Sequence, residues 1–139
     1  MLTIELLDWA AGQSEAKRIR FAVFVEEQGV PAELEMDDND AQCVHALAFA
    51  DGHAIGTGRL LPDGHIGRLA VLKDWRGRGA GRALLRALLD AARRRGHRQV
   101  MLSAQSHALG FYRAEGFAPE GPVYEEAGIP HQAMRLRLG

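Results

Sequence analysis

Short apolar runs bounded by turn residues recur along the chain and predict β-strands. The three runs in the middle of the chain are joined by Asp51-Gly52 and by Pro62-Asp63-Gly64, which are typical of tight turns. We therefore expect a three-stranded antiparallel meander there. The predicted strands are 2–7, 44–50, 53–61, 65–72, 98–103, 117–124 and 132–138.

Other segments carry apolar residues at helical spacing. The first predicted helix is capped by Ser14 and ends before Gly29, and the second ends at Gly96. The predicted helices are 15–28, 83–92 and 108–115, and the acidic segment 31–42 is predicted to be a loop.

The order of these elements predicts an α/β (α+β) fold. The helix over 83–92 lies between two strands and so predicts a parallel crossover within an otherwise antiparallel arrangement. We expect a mixed, mostly antiparallel sheet of about six to seven strands with helices on both faces. The length of 139 residues favours one domain over 1–139.

Composition narrows the class of protein. Apolar residues make up 47%, charged residues 25%, and the net charge is -1, as in soluble globular proteins. The near-zero charge argues against nucleic acid as a partner. The single cysteine, Cys43, is expected in the core, and the scattered histidines predict no metal site. We expect no signal peptide, no membrane span and a cytoplasmic location.

The segment Arg76-Gly77-Arg78-Gly79-Ala80-Gly81-Arg82 carries the strongest chemical signal. It joins a predicted strand to a predicted helix, an arrangement that directs several backbone N–H groups at one anion. Glycine allows the backbone to approach a phosphate closely. The residues after Gly81 lack the Lys-Ser/Thr of a P-loop, and the glycine spacing does not fit a dinucleotide fingerprint.

With these motifs the chain resembles the GNAT family of N-acetyltransferases. The family motif Arg/Gln-x-x-Gly-x-Gly/Ala is matched at Arg76, Gly79 and Gly81. A second block, aromatic-Tyr-x-x-x-Gly-Phe, is matched by 111–117, at the family's spacing of about thirty residues. The outer segments are similar to the ElaA/YjcF-like branch, over 20–31 with Glu33, Glu35 and Asp37 after it, and over 128–131.

The resemblance implies acetyl-CoA as cosubstrate. It implies that the glycine loop holds the pyrophosphate and that the backbone of Leu69, Ala70 and Val71 binds the pantetheine arm. The expected cofactor-binding residues are Leu69, Ala70, Val71, Arg76, Gly77, Arg78, Gly79, Ala80, Gly81, Arg82, Phe111 and Tyr112. Arg78 and Arg82 either contact the phosphate or simply face water, and the sequence favours neither role.

The resemblance also implies direct attack of an amine on the thioester. The Val71 amide would polarise the thioester carbonyl, and Tyr112 would protonate the departing thiolate. The strand 65–72 lacks the glutamate that many members use as a base. A base would therefore act through water or come from elsewhere, and the candidates are Glu26, Glu27, His107 and His131. Arg68 is a candidate for binding an acidic acceptor or for pairing with a glutamate.

Three functions remain open from the sequence. The first is an N-acetyltransferase acting on a primary amine of a small molecule. The second is a lysine or N-terminal protein acetyltransferase, and the third is a non-catalytic acyl-CoA binding module. The expected partners are acetyl-CoA and an amine acceptor, with no nucleic acid and no membrane, and a homodimer is left open.

Overall fold

The computed structural model describes residues 1–139 as seven strands and four α-helices. The strands are β1 (Leu2–Leu7), β2 (Val44–Ala50), β3 (His53–Leu60), β4 (Ile66–Val71), β5 (Gln99–Gln105), β6 (Ala118–Glu126) and β7 (Ile129–Arg137). The helices are α1 (Trp9–Arg20), α2 (Ala32–Glu35), α3 (Ala80–Arg94) and α4 (Leu109–Ala114). None of these helices is long and apolar enough to span a membrane.

The strands form two antiparallel sheets. The first has the order β1-β2-β3-β4, and the second has the order β5-β7-β6. The two sheets meet at one parallel bridge between His65 and Met101, where the Met101 N–H donates to the Gly64 carbonyl at 3.2 Å. Beyond this bridge β4 and β5 are not paired, so the predicted parallel pairing exists only at its beginning. We call the region between the unpaired parts of β4 and β5 the cleft.

The first sheet has a helix on each face, as expected. α3 packs Leu84, Leu85 and Leu88 into the larger core, together with alternate residues of β2 such as Ala46 and Ala48. α1 covers the opposite face. Gly56 and Gly58 permit the close approach of α3, since a Cβ on Gly58 would lie 2.8 Å from Leu69 Cδ1 and 3.0 Å from Leu88 Cδ1.

The first helix begins six residues earlier than the sequence predicts. Asp8, not Ser14, is its N-cap, with its carboxylate accepting from the Ala11 N–H at 2.9 Å. After Arg20 the helix continues as a π-helix over Phe21–Glu27, closed by a bond of 3.1 Å from the Gln28 N–H to the Val23 carbonyl. The predicted end before Gly29 is confirmed.

Two further boundaries differ from the prediction. The acidic segment 31–42 contains α2 and a 3₁₀ turn over Asp40–Gln42, because its carboxylates meet buried arginines instead of water. α3 begins at Ala80, not at residue 83, because Gly79 takes a left-handed conformation that starts the helix.

A bulge interrupts β4 at Arg68. The register pairs Thr57 with Ala70 and Arg59 with Gly67, so two residues of β4 lie opposite Gly58 alone. Arg68 has a φ of 51°, which is uncommon for a residue with a side chain. The bulge turns the Arg68 side chain toward the α1 side of the sheet, where it meets the segment after α2.

Candidate active site

The glycine loop forms an open cradle at the N-terminus of α3. Gly77 and Gly79 have φ values of 77° and 86°, and no atom lies within 4 Å of the position that a Cβ would occupy on either residue. No side chain caps the helix. The first-turn N–H groups and the positive end of the helix dipole are therefore available to an anion, and the cradle fits a pyrophosphate.

Gly81 brings the two sequence motifs together. A Cβ on Gly81 would lie 3.6 Å from Phe111 Cζ and 4.0 Å from Val71 Cγ2. The bare Cα of the loop thus lies against both the end of β4 and the aromatic pair of α4. Residues that are about thirty positions apart in sequence thus meet at Gly81.

The backbone of Val71 is directed into the cleft. The Leu72 N–H donates to the Ile55 carbonyl at 2.9 Å, and the register pairs Val71 with Gly56. Hydrogen-bonded and non-hydrogen-bonded pairs alternate in an antiparallel ladder, so Val71 belongs to a non-hydrogen-bonded pair. Its N–H and carbonyl therefore point away from β3, toward the side where β5 has diverged.

The three arginines of the loop already have protein partners. Arg76 donates to the Val71 carbonyl at 2.9 Å and makes a two-pronged ion pair with Glu27 at 2.6 and 2.7 Å. The guanidinium of Arg78 lies 4.9 Å from the centre of the Trp75 ring, and Arg82 lies 3.4 Å from Glu115. Arg76 thus links the loop to the first helix, while Arg78 and Arg82 lie beside the cradle.

Tyr112 is held by neighbouring aromatic rings. Its ring meets those of Phe111 and Phe117 edge to face, with centroids 5.0 and 5.8 Å apart. Burial raises the pKa of Tyr112 to about 12, so the phenol is protonated at neutral pH. It can donate a hydrogen bond to a developing negative charge.

The base candidates differ in their surroundings. Hydrogen bonding from Arg76 holds the pKa of Glu27 below its usual range, which argues against Glu27 as a base. Glu26 lies on the π-helix beside an open groove, and His107 is exposed in the turn before α4. His131 is buried, with Nδ1 2.7 Å from the Ile129 carbonyl. A carbonyl only accepts, so Nδ1 carries the proton and Nε2 keeps its lone pair in the neutral ring.

Comparison with known proteins agrees with this geometry. The family described as "Acetyltransferase (GNAT) domain" matches residues 11–138. The chain is 36% identical to the N-acetyltransferase YjcF of Bacillus subtilis over 124 residues, which cover 86% of this chain and 89% of YjcF. The chain belongs to the GNAT acetyltransferase family. It is therefore a transferase enzyme, and acyl-CoA is the cosubstrate that the family uses.

Solved structures of other proteins are similar to this GNAT chain over nearly its whole length. Escherichia coli ElaA is 30% identical, with a TM-score of 0.86 and coverage of 97% of this chain and 99% of ElaA. An acyl-CoA N-acyltransferase from Pseudomonas aeruginosa is 33% identical, with the same TM-score and the same coverage. The predicted fold and the resemblance to the ElaA/YjcF-like branch are confirmed.

This GNAT chain also contains a buried ionic network that the sequence analysis missed. Three arginines and three carboxylates meet between α1, α2 and the first sheet: Arg20, Arg59, Arg68, Glu35, Asp37 and Asp40. Arg59 is 4% exposed and Asp40 is 3% exposed. The sequence does contain a signal for this network, because Arg59 lies within an apolar strand and a buried arginine needs a counter-charge.

The network accounts for Arg68. The sequence left two roles open for this residue, an acidic acceptor or a glutamate partner. Its Nη2 donates to the Glu35 carbonyl at 2.9 Å and to Asp37 at 3.3 Å. The hydrogen bond from Arg59 holds the pKa of Asp37 well below its usual range, so that carboxylate is charged and balances the arginines. Arg68 therefore belongs to the supporting structure of the GNAT site.

Cys43 is unsuited to a role as a nucleophile. It lies buried just before β2, with its thiol 3.2 Å from the Asn39 carbonyl. Burial raises the pKa of Cys43 to about 11, which keeps the thiol protonated at neutral pH. In this GNAT chain it is a core residue.

Proposed function

We propose that the protein is an N-acetyltransferase that transfers the acetyl group of acetyl-CoA to a primary amine of a small molecule. The observation that carries the proposal is the position of Gly81. It lies between the anion cradle, the end of β4 and Phe111, whose ring contacts that of Tyr112. A non-catalytic module would need only the cradle.

The donor would be held mainly by backbone groups. The N–H groups of 76–82 would bind the pyrophosphate at the N-terminus of α3. Leu69, Ala70 and Val71 would line the cleft, and Phe111 would close the side next to Gly81. Arg78 and Arg82 would add positive charge at the rim, while Arg76 would fix the loop through Glu27.

Acetyl-CoA would supply an activated thioester, and the attack of a neutral amine on its carbonyl carbon would form a C–N bond and break the C–S bond. The Val71 N–H would donate to the oxygen on which negative charge develops. Tyr112 would donate a hydrogen bond to the departing sulfur and pass it a proton as its charge grows. His131 would take the proton that the amine loses, through the free Nε2.

Two side-chain contacts across the acceptor side support a small acceptor. Glu27 and Gln28, at the end of the first helix, contact opposite sides of the cleft through Arg76 and Gln105. A protein substrate would need an open groove across this face. An amine of low molecular weight needs only a gap between these contacts.

Thiol release from acetyl-CoA in the presence of a panel of primary amines and lysine peptides tests the proposal. We expect release that depends on a small amine and a product that is acetylated on nitrogen, identified by mass spectrometry. Hexanoyl-CoA in the same assay tests the preference for acetyl. Tight binding of CoA without release for any acceptor would instead identify a binding module.

A further inference from the structure

Two glutamine side chains meet across the cleft on the α1 side. Gln28 Nε2 donates to Gln105 Oε1 at 3.2 Å, and Gln105 Nε2 donates to Gln28 Oε1 at 2.8 Å. Gln28 follows the π-helix and Gln105 is the last residue of β5. Both side chains are half-buried, so the pair is partly exposed.

The position of this pair is set by its neighbours. Gln105 lies at the end of β5 that has diverged from β4. The residue before Gln28 is Glu27, which binds Arg76, and Arg76 in turn binds the carbonyl of Val71 at the end of β4. Consecutive residues at the end of the first helix thus contact both separated strand ends, Glu27 through Arg76 and Gln28 through Gln105.

The pair has hydrogen-bonding capacity left over. A primary amide offers two N–H groups and an oxygen with two lone pairs. The reciprocal bonds use one N–H and one lone pair of each glutamine. One donor and one acceptor site on each side chain therefore stay open to a ligand.

The same face of the second sheet continues as a polar wall. The register places His131 opposite Gln105 on β7 and Tyr124 opposite His131 on β6. The Tyr124 ring stacks on His131 with centroids 6.1 Å apart, and its hydroxyl contacts Ser103 Oγ. The wall therefore consists of two amides, two hydroxyls and an imidazole.

No lysine or arginine side chain belongs to the wall itself. Arg76 is committed to Glu27, and Arg68 donates to the Glu35 carbonyl and to Asp37. The carboxylate of Glu126 lies 3.7 Å from His131 Nε2. A carboxylate on the acceptor would lose its hydration here without a counter-charge, whereas a hydroxyl or a carboxamide would find matching donors and acceptors.

We propose that Gln28 and Gln105 determine acceptor specificity, and that they select a primary amine carrying hydroxyl or carboxamide groups and no carboxylate. This inference rests on the proposed acetyltransferase function. It assigns the amide pair to recognition, with the Tyr124, Ser103 and His131 wall beside it. A purely structural link between helix and strand would make no distinction among amines.

Two pairs of small amines with equal numbers of non-hydrogen atoms test the proposal. The first pair is 2-aminopropane-1,3-diol and 3-aminopentane, and the second is alaninamide and alanine. We expect kcat/KM, referred to the neutral amine, to be about tenfold or more higher for the diol and for alaninamide. Gln28→Met and Gln105→Met should bring the ratio for the first pair close to one and lower kcat/KM for alaninamide, while the affinity for CoA is unchanged.

Gln132→Met is the matched control. Gln132 lies on β7 next to His131 but on the opposite face, where its amide donates to the Gly121 carbonyl at 2.9 Å. This variant should keep the wild-type ratios. Equal rates within both amine pairs for the wild type, or an equal loss for all amines in the Gln→Met variants, would overturn the inference and leave the acetyltransferase function standing. Absence of thiol release with every amine would overturn both.

Discussion

The Cα of Gly81 lies so close to the Phe111 ring that a Cβ there would stand 3.6 Å from Cζ. This distance is an ordinary van der Waals contact, so one methyl group fits and a larger side chain does not. This contact joins the glycine loop to α4, the helix that carries Tyr112. Side chains of increasing size at position 81 test it.

Gly81→Ala should keep activity and raise stability by up to about 1 kcal/mol, because alanine is the better helix residue. Gly81→Val should cost about 1–3 kcal/mol through overpacking against Phe111 and Val71 and should lower kcat. Thermal melts and thiol-release rates of the two variants provide the measurement. Equal activity in both would show that the Gly81–Phe111 contact is not needed for the reaction.

Gly79→Asp and Gly79→Asn separate charge from backbone strain at the cradle. Both residues tolerate the left-handed conformation that Gly79 adopts, and both are good N-caps. The carboxylate would stand beside the pyrophosphate, so the Kd for CoA should rise about tenfold or more for Asp relative to Asn. Asp should match or exceed Asn in Tm because it complements the helix dipole. Calorimetric titration with CoA gives the affinities, and similar values would argue against the loop as the phosphate site.

Tyr112→Phe should lower kcat on the order of a hundredfold and leave CoA affinity nearly intact. The pKa of about 12 means that the wild-type phenol stays protonated far above neutral pH. Loss of this proton should therefore not produce a fall in kcat below about pH 10. A kcat–pH profile of the wild type and the variant checks both statements, and an unchanged kcat in Tyr112→Phe would remove the residue from the mechanism.

His45 makes stability depend on pH. Burial lowers its pKa in the folded protein, where Nε2 donates to the Asp40 carbonyl at 2.8 Å and the Trp9 ring lies 4.7 Å away. The unfolded chain, with a histidine pKa of about 6.5, binds the proton more readily. Stability should hold above about pH 7 and decline as the pH falls below about 6.5. Urea unfolding across this range should show a weaker decline for His45→Gln than for the wild type.

Asp40→Asn should be strongly destabilising. It leaves Arg20 and Arg59 with less counter-charge in a site that water does not reach, a kind of loss that costs about 3–5 kcal/mol. Glu120→Gln is the matched control, because it removes a carboxylate that pairs with Arg135 on the surface. Chemical denaturation should find the control close to wild type. A similarly small effect for Asp40→Asn would show that the network does not stabilise the fold.

Much of the architecture could be predicted because local signals agree with one another. The apolar run of β2 and the Asp51-Gly52 turn fix a hairpin by period and turn chemistry alone. The start of the first helix could not be placed in this way, because Trp9 to Gly12 lacks a helical apolar pattern and Asp8 acts as a cap only once the chain turns there.

The sequence by itself determined the family, the fold and the two motif blocks around Gly79 and Tyr112. Each of these depends on residue type and short spacing, which local backbone preferences already encode. The tertiary structure alone decided which residues face one another across the cleft, such as Gln28 with Gln105 and Glu27 with Arg76. Such pairs are 77 and 49 positions apart along the chain. They arise from the divergence of β4 and β5 and the packing of the first helix over that opening, which no local pattern specifies.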